Sequence, residues 1–106
     1  MSFQIGSTLL DACVLSVLAK GDAYGYVLTQ AMKQAIDISE STLYPVLRRL
    51  QKEGLLRTYD EPYQGRNRRY YAITEAGLAQ YRTYAQEWED YKTKLDKLIA
   101  GGKDSE

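Results

Sequence analysis

Ser39–Gly54, SESTLYPVLRRLQKEG, is the stretch whose reading decides the fold. Leu43, Val46, Leu47 and Leu50 recur at helical spacing and make one apolar face, while Tyr44, Arg48, Arg49 and Lys52 lie around the other side. Gly54 follows as a stop, free to adopt a positive φ without steric cost. Ser39 and Ser41 both offer a hydroxyl to the unpaired N–H groups of a first turn. Pro45 discriminates between them. Capped by Ser39, the helix carries its proline too deep and loses a hydrogen bond. A start at Ser41 or Thr42 places Pro45 in or near the first turn, where little is lost. The later start is therefore expected. Taken alone, the helix fits a solvated amphipathic surface as well as it fits one presented to a partner.

The residues after Gly54 change that balance. Leu55–Tyr59 reads as a strand, Asp60–Asn67 (DEPYQGRN) is dense in turn residues, and Arg68–Ile73 (RRYYAI) reads as the returning strand. The hairpin holds Arg66, Arg68 and Arg69. A basic helix followed at once by a basic-tipped hairpin has the layout of a helix entering a DNA major groove with a wing beside it. The strand aromatics are better explained by core and cross-strand pairs than by base-stacking platforms.

Before Ser39, a helix is expected over Ala23–Ile36. Tyr24, Val27, Leu28, Ala31, Met32 and Ala35 form its core face. Gly25 weakens it by roughly 1 kcal/mol relative to alanine and leaves room for another helix to approach closely. Asp37 and Ile38 make a short turn into the basic helix, which completes a helix-turn-helix. Ile5–Lys20 is apolar around much of its circumference and is expected to be buried on several sides, one of them against a partner chain. After the hairpin, Thr74 caps a last helix running to about Ala100, with Glu75 at its positive end. Tyr81, Tyr84, Trp88, Tyr91, Leu95 and Leu98 are spaced 3, 4, 3, 4, 3 along it, a heptad-like seam that argues for dimerisation. The fold class is mainly α with a small β-hairpin: a winged helix-turn-helix DNA-binding domain over 1–74, a C-terminal dimerisation helix packed on the same domain over 75–100, and a flexible tail over 101–106.

The chain of 106 residues is sized for one domain. Its net charge is zero, yet the charge is unevenly placed. Residues 43–74 carry seven bases against three acids, while the segments before and after carry two against four and five against seven. The single cysteine, Cys13, has no intrachain partner and lies in an apolar run, which suits a reducing cytoplasm. No secretory leader and no membrane-spanning run is evident. With no histidine, no metal-ligand spacing, no phosphate-binding glycine loop and no nucleophile–base pair, an enzyme is not expected, and neither is a cofactor.

Thr42–Leu56 (TLYPVLRRLQKEGLL), Gly65–Gly77 (GRNRRYYAITEAG) and Ala23–Tyr26 (AYGY) resemble the PadR family of bacterial transcriptional regulators, and the resemblance covers nearly the whole chain. The short final segment is similar to the subfamily with one C-terminal dimerisation helix. The resemblance implies a homodimeric winged-helix protein, often a repressor, on a palindromic double-stranded DNA operator. With the basic outer face, it assigns DNA binding to Ser41, Thr42, Tyr44, Arg48 and Arg49 on the helix and to Arg66, Arg68 and Arg69 on the wing. Some small members sense planar aromatic compounds at the dimer centre with a tryptophan of the last helix. Trp88 occupies that place, so Tyr84, Trp88, Tyr91 and Leu95 form the expected effector and dimer surface. An equally good account of Trp88 is a plain interface anchor. Lys92, one turn on, does not favour a cationic ligand. The family's histidine before Gly-Tyr is Tyr24 here. A winged helix used only for protein contacts is the competing class; the zero net charge allows it and the concentrated basic patch opposes it.

Overall fold

A computed structural model describes residues 6–101. Seven elements follow in order: α1 (Ser7–Lys20), β1 (Ala23–Tyr24), α2 (Gly25–Met32), α3 (Glu40–Lys52), β2 (Leu56–Tyr63), β3 (Arg66–Ile73) and α4 (Glu75–Ile99). The expected start of the first helix at Ile5 and the tail beyond Gly101 lie outside the described residues. The three strands make an antiparallel sheet in the order β1-β3-β2: the expected hairpin, β2 and β3, within a winged helix, joined by a short strand, β1, that the sequence did not lead us to expect.

The core is built where the apolar stripes meet. Val14, Leu15 and Leu18 of α1, Leu28 and Met32 of α2, and Leu43, Leu47 and Leu50 of α3 are all buried, closed at the sheet end by Leu56. Removing water from side chains of this size stabilises by about 1.5–3 kcal/mol each. Every apolar residue assigned to the inner face of the Ser39–Gly54 helix belongs to this cluster, Val46 only partly buried at its rim.

Four local details differ from the sequence reading. First, the basic helix α3 starts earlier than expected: Ser39 is its cap, accepting from the Thr42 N–H at 3.3 Å, and its hydroxyl also meets those of Ser41 and Thr42. Pro45 therefore lies inside the helix. The carbonyl it orphans is that of Ser41, an exposed residue of the outer face. Second, α2 is shorter than expected at both ends. Ala23 and Tyr24 are extended and pair with Tyr71 and Tyr70 of β3, and the helix stops at Met32. Third, the wing is longer and its turn tighter. Tyr63 and Arg66 close the ladder around a two-residue turn, Gln64–Gly65, with φ of 50° and 81° at its centre. Positive φ at both positions matches the strand twist, and glycine takes it without strain. Pro62 is tolerated inside β2 because that strand is at the sheet edge. Fourth, Gly25 makes room for a side chain rather than for a helix backbone. A Cβ there would lie 2.8 Å from the Tyr44 hydroxyl.

Helix α4 leaves the domain as it proceeds. Thr74 caps it by accepting from the Gly77 N–H at 3.0 Å and donates to the Gly54 carbonyl at 2.7 Å, which fastens its start to the base of the wing. Tyr81 and Tyr84 pack on the core. Further along, Leu98 and Ile99 are 77 % and 80 % exposed.

Candidate nucleic-acid interface

The outer face of α3 presents Ser41, Thr42, Pro45, Arg48 and Lys52 to solvent. The residue types suit a duplex: short hydroxyls at the helix start can reach base edges, and the later cations can neutralise phosphates. Beside them stands the wing, whose tip (Tyr63, Gln64, Gly65, Arg66 and Asn67) is exposed throughout.

Of the eight residues expected to bind DNA, Ser41, Thr42, Arg48, Arg66 and Arg69 are exposed, and among the described residues no salt bridge engages Arg48 or Arg66. Tyr44 is half-buried. Its hydroxyl donates to Glu40 at 3.0 Å and its ring edge lies over Gly25, so it joins α3 to α2. Burial, then the Glu40 carboxylate, holds its phenol above the usual range. Arg49 departs furthest from the expectation. One residue of helix turns the side chain by about 100°, so Arg48 faces out while Arg49 turns to α1. There Nη2 of Arg49 donates to Oδ1 of the buried Asp11 at 2.5 Å, and Nη1 reaches Glu53 at 3.4 Å. Asp11 had no role in the sequence reading, because Arg49, to which it is bound, is 38 residues away.

Arg68 is held differently. Its guanidinium carbon lies 3.9 Å from the Tyr24 ring centroid and 3.5 Å from that of Tyr63. The stack continues along the same face of the sheet: Tyr24 meets Tyr70 edge-on, Tyr70 stacks on Tyr59, and Arg57 covers Tyr59. Tyr59 anchors this row to the start of the domain by donating to Asp22 at 2.6 Å, and that bond pushes its phenol up to about 12. Alternation at i and i+2 (Arg57, Tyr59; Arg68, Tyr70) was the available signal for the row. Its closure by Tyr24 depended on β1, which the sequence reading placed in a helix. Arg69 points to the other face, where an exposed ion pair with Asp60 at 3.4 Å contributes little stability. A hollow of about 310 Å³ between α2, α3 and β3 is lined by Tyr24, Tyr26, Glu40, Tyr44, Arg68 and Arg69, and so brings helix and wing residues together.

The opposite side of the molecule has another chemistry. Between α1, the end of α2 and α4 runs a groove of about 610 Å³, lined by apolar residues including Val17, Met32 and Ile36, with Tyr81, Tyr84 and Trp88 along one wall. Trp88 is 38 % exposed and tilts against Tyr91, ring centroids 6.3 Å apart. Cys13 lines the groove, and burial raises its thiol. Of the expected effector and dimer residues, Tyr84 and Trp88 line the groove; Tyr91 and Leu95 continue the seam beyond it.

The family model for "Transcriptional regulator PadR-like family" matches residues 14–83, which span α1 through the first third of α4. The chain belongs to the PadR-like family of transcriptional regulators. Among solved structures, smu.1704 from Streptococcus mutans UA159 superposes with a TM-score of 0.85 at 38 % identity, covering 95 % of both chains. Transcriptional regulator Rv3488 of Mycobacterium tuberculosis is 39 % identical over 67 residues, 62 % of this chain and 63 % of its own. PadR of Bacillus subtilis shares the fold with a TM-score of 0.68 at 24 % identity, over 73 % of this chain and 46 % of its own. PadR-like regulators bind DNA.

Proposed function

We propose that the chain is a cytoplasmic, homodimeric repressor of transcription that binds a palindromic operator and is released by a planar aromatic compound held beside Trp88. The observation that carries the reading is the shared exposure of Ser41, Thr42 and Arg48 on α3 and Arg66 on the adjoining wing. Support comes from Bacillus subtilis PadR, a protein of the same fold studied in complex with operator DNA. Among the described residues no helix is long and apolar enough to cross a membrane. The α1–α4 side supplies the dimer surface. The seam of α4 continues past Tyr84 through Trp88, Tyr91 and Leu95 to the exposed Leu98 and Ile99, and a second copy covers it. Two recognition helices so joined would address half-sites about one helical turn, ~34 Å, apart. The groove's aromatic wall suits a flat ligand, and Lys92, one turn beyond Trp88 and paired with the groove-lining Glu89 at 3.2 Å, does not favour a cationic one.

The test is a gel-shift titration of the purified protein on the DNA upstream of its own gene, at two salt concentrations with nonspecific competitor. Specific binding that weakens with salt is expected, because cations of helix and wing displace counterions. Absence of specific binding would favour a winged helix used for protein contacts. Titrating Trp88 fluorescence with planar aromatic compounds tests the effector; a spectrum unmoved by every compound leaves Trp88 as an interface anchor only.

A further inference from the structure

We propose that Arg49 is a positioning residue, the tie by which the wall of the α1–α4 groove sets the pose of the recognition helix. The proposal rests on the regulator reading above and adds to it a route from the groove to the DNA face. Three observations carry it. Arg49 sits on α3 next to the outward-facing Arg48, yet binds Asp11 of α1 at 2.5 Å and Glu53, just past the helix end, at 3.4 Å. Asp11 is buried, and the residues after it, Ala12 and Cys13, line the groove. Tyr84 of α4 also lines the groove, and the charges of Asp11 and Glu53, after burial, raise its phenol. An occupant that moves Tyr84 or α1 thus disturbs the carboxylate to which Arg49 is bound.

The physical demand comes from Asp11. A buried carboxylate without its cation is strongly unfavourable, so α1 and α3 cannot slide apart without a large local penalty. Displacing α1 then drags Arg49 along and, through the same backbone, re-aims Arg48. Asp11 conversely takes half of Arg49's hydrogen-bonding edge away from any phosphate.

The two roles open to Arg49 predict opposite signs. If Arg49 bound phosphate, Asp11→Asn would release it and delete a negative charge, and DNA would bind more tightly. If Arg49 positions α3, Asp11→Asn weakens binding. Full-length variants are titrated on a duplex of the DNA upstream of the protein's own gene over a range of salt. Asp11→Asn and Arg49→Met are each expected to weaken binding about fivefold or more, with the slope of log affinity against log salt unchanged. The double variant should be no weaker than the weaker single one, because both remove one interaction. Arg49→Lys, which keeps a cation beside Asp11, should restore part of the loss, and Lys33→Ala should bind as the parent does. Tighter binding by Asp11→Asn, or a slope reduced by about one in Arg49→Met, would overturn the proposal. Amide hydrogen exchange supplies a readout that needs no DNA: exchange in Glu40–Lys52 should quicken in both variants and remain parental in Gly25–Met32. If the parent protein binds no specific DNA, the regulator reading falls, and unchanged exchange in Glu40–Lys52 would separately reject the tie.

Discussion

The two long sides of the molecule use similar residues for different ends. On the α3–wing side tyrosines brace arginines: Tyr24 and Tyr63 clasp Arg68, and Tyr59 lies under Arg57. On the α1–α4 side Tyr81, Tyr84 and Trp88 line an apolar groove. A chain of zero net charge can therefore concentrate bases in residues 43–74, because most of its acids lie outside that segment and some, like Asp11, are spent on internal ties. Net charge reports solubility and long-range steering; the local arrangement reports the partner.

The largest expected effect breaks the joint between the two sides. A Cβ at Gly77 would lie 2.1 Å from the Leu55 carbonyl oxygen, a backbone atom that cannot swing away. Gly77→Ala should cost about 3 kcal/mol or more, read as a fall in the thermal midpoint, with α4 parting from the wing base. A near-parental midpoint would mean that the junction is softer than its packing suggests. Next come the outward cations. Arg48→Ala and Arg66→Ala should each weaken operator binding about tenfold and lower the salt slope by about one, with folding intact; parental affinity in both would remove this face from DNA recognition. On the opposite side, Trp88→Ala should leave the subunit folded, since the ring is 38 % exposed in one chain. Self-association measured by sedimentation should weaken by about 2 kcal/mol, the size of an interface anchor. The smallest effect is at the wing base. Tyr59 donates to Asp22, and its folded phenol titrates at about 12, above its ordinary ~10. The folded state therefore holds the proton more firmly. Its contribution to stability is complete below pH ~10 and disappears as pH rises through about 12. Spectroscopic titration of Tyr59→Phe should lack this late-titrating phenol, and the variant should lose that part of the alkaline pH dependence.

What was legible in the sequence was what depends on near neighbours. The Leu43–Leu50 stripe, the Gly54 stop and the turn residues before Arg68 act within a few positions of themselves, so helix, stop and hairpin follow from spacing alone. The exposed members of the candidate site, Arg48 and Arg66, were legible for the same reason. Arg49 was not, because spacing says which way a side chain leaves the helix but not that a carboxylate 38 residues earlier awaits it. Tyr24 was read as helical because its apolar period suited α2; pairing with Tyr70 overrode that preference. Ser39 and Ser41 misled in a third way: either hydroxyl suits a cap and Pro45 counted against the earlier one, yet Ser39 caps α3 and the helix runs on through Pro45.

The clasp around Arg68 has a thermodynamic consequence for recognition. A free arginine on a hairpin samples many rotamers, and ordering such a side chain on binding costs about 0.5–1.5 kcal/mol. Arg68 surrenders that freedom during folding, between Tyr24 and Tyr63. Arg66, beyond the clasp at the wing tip, does not. In the proposed complex the wing would meet a duplex with Arg68 already set and Arg66 still searching, so the entropic toll of docking should fall mainly on the tip.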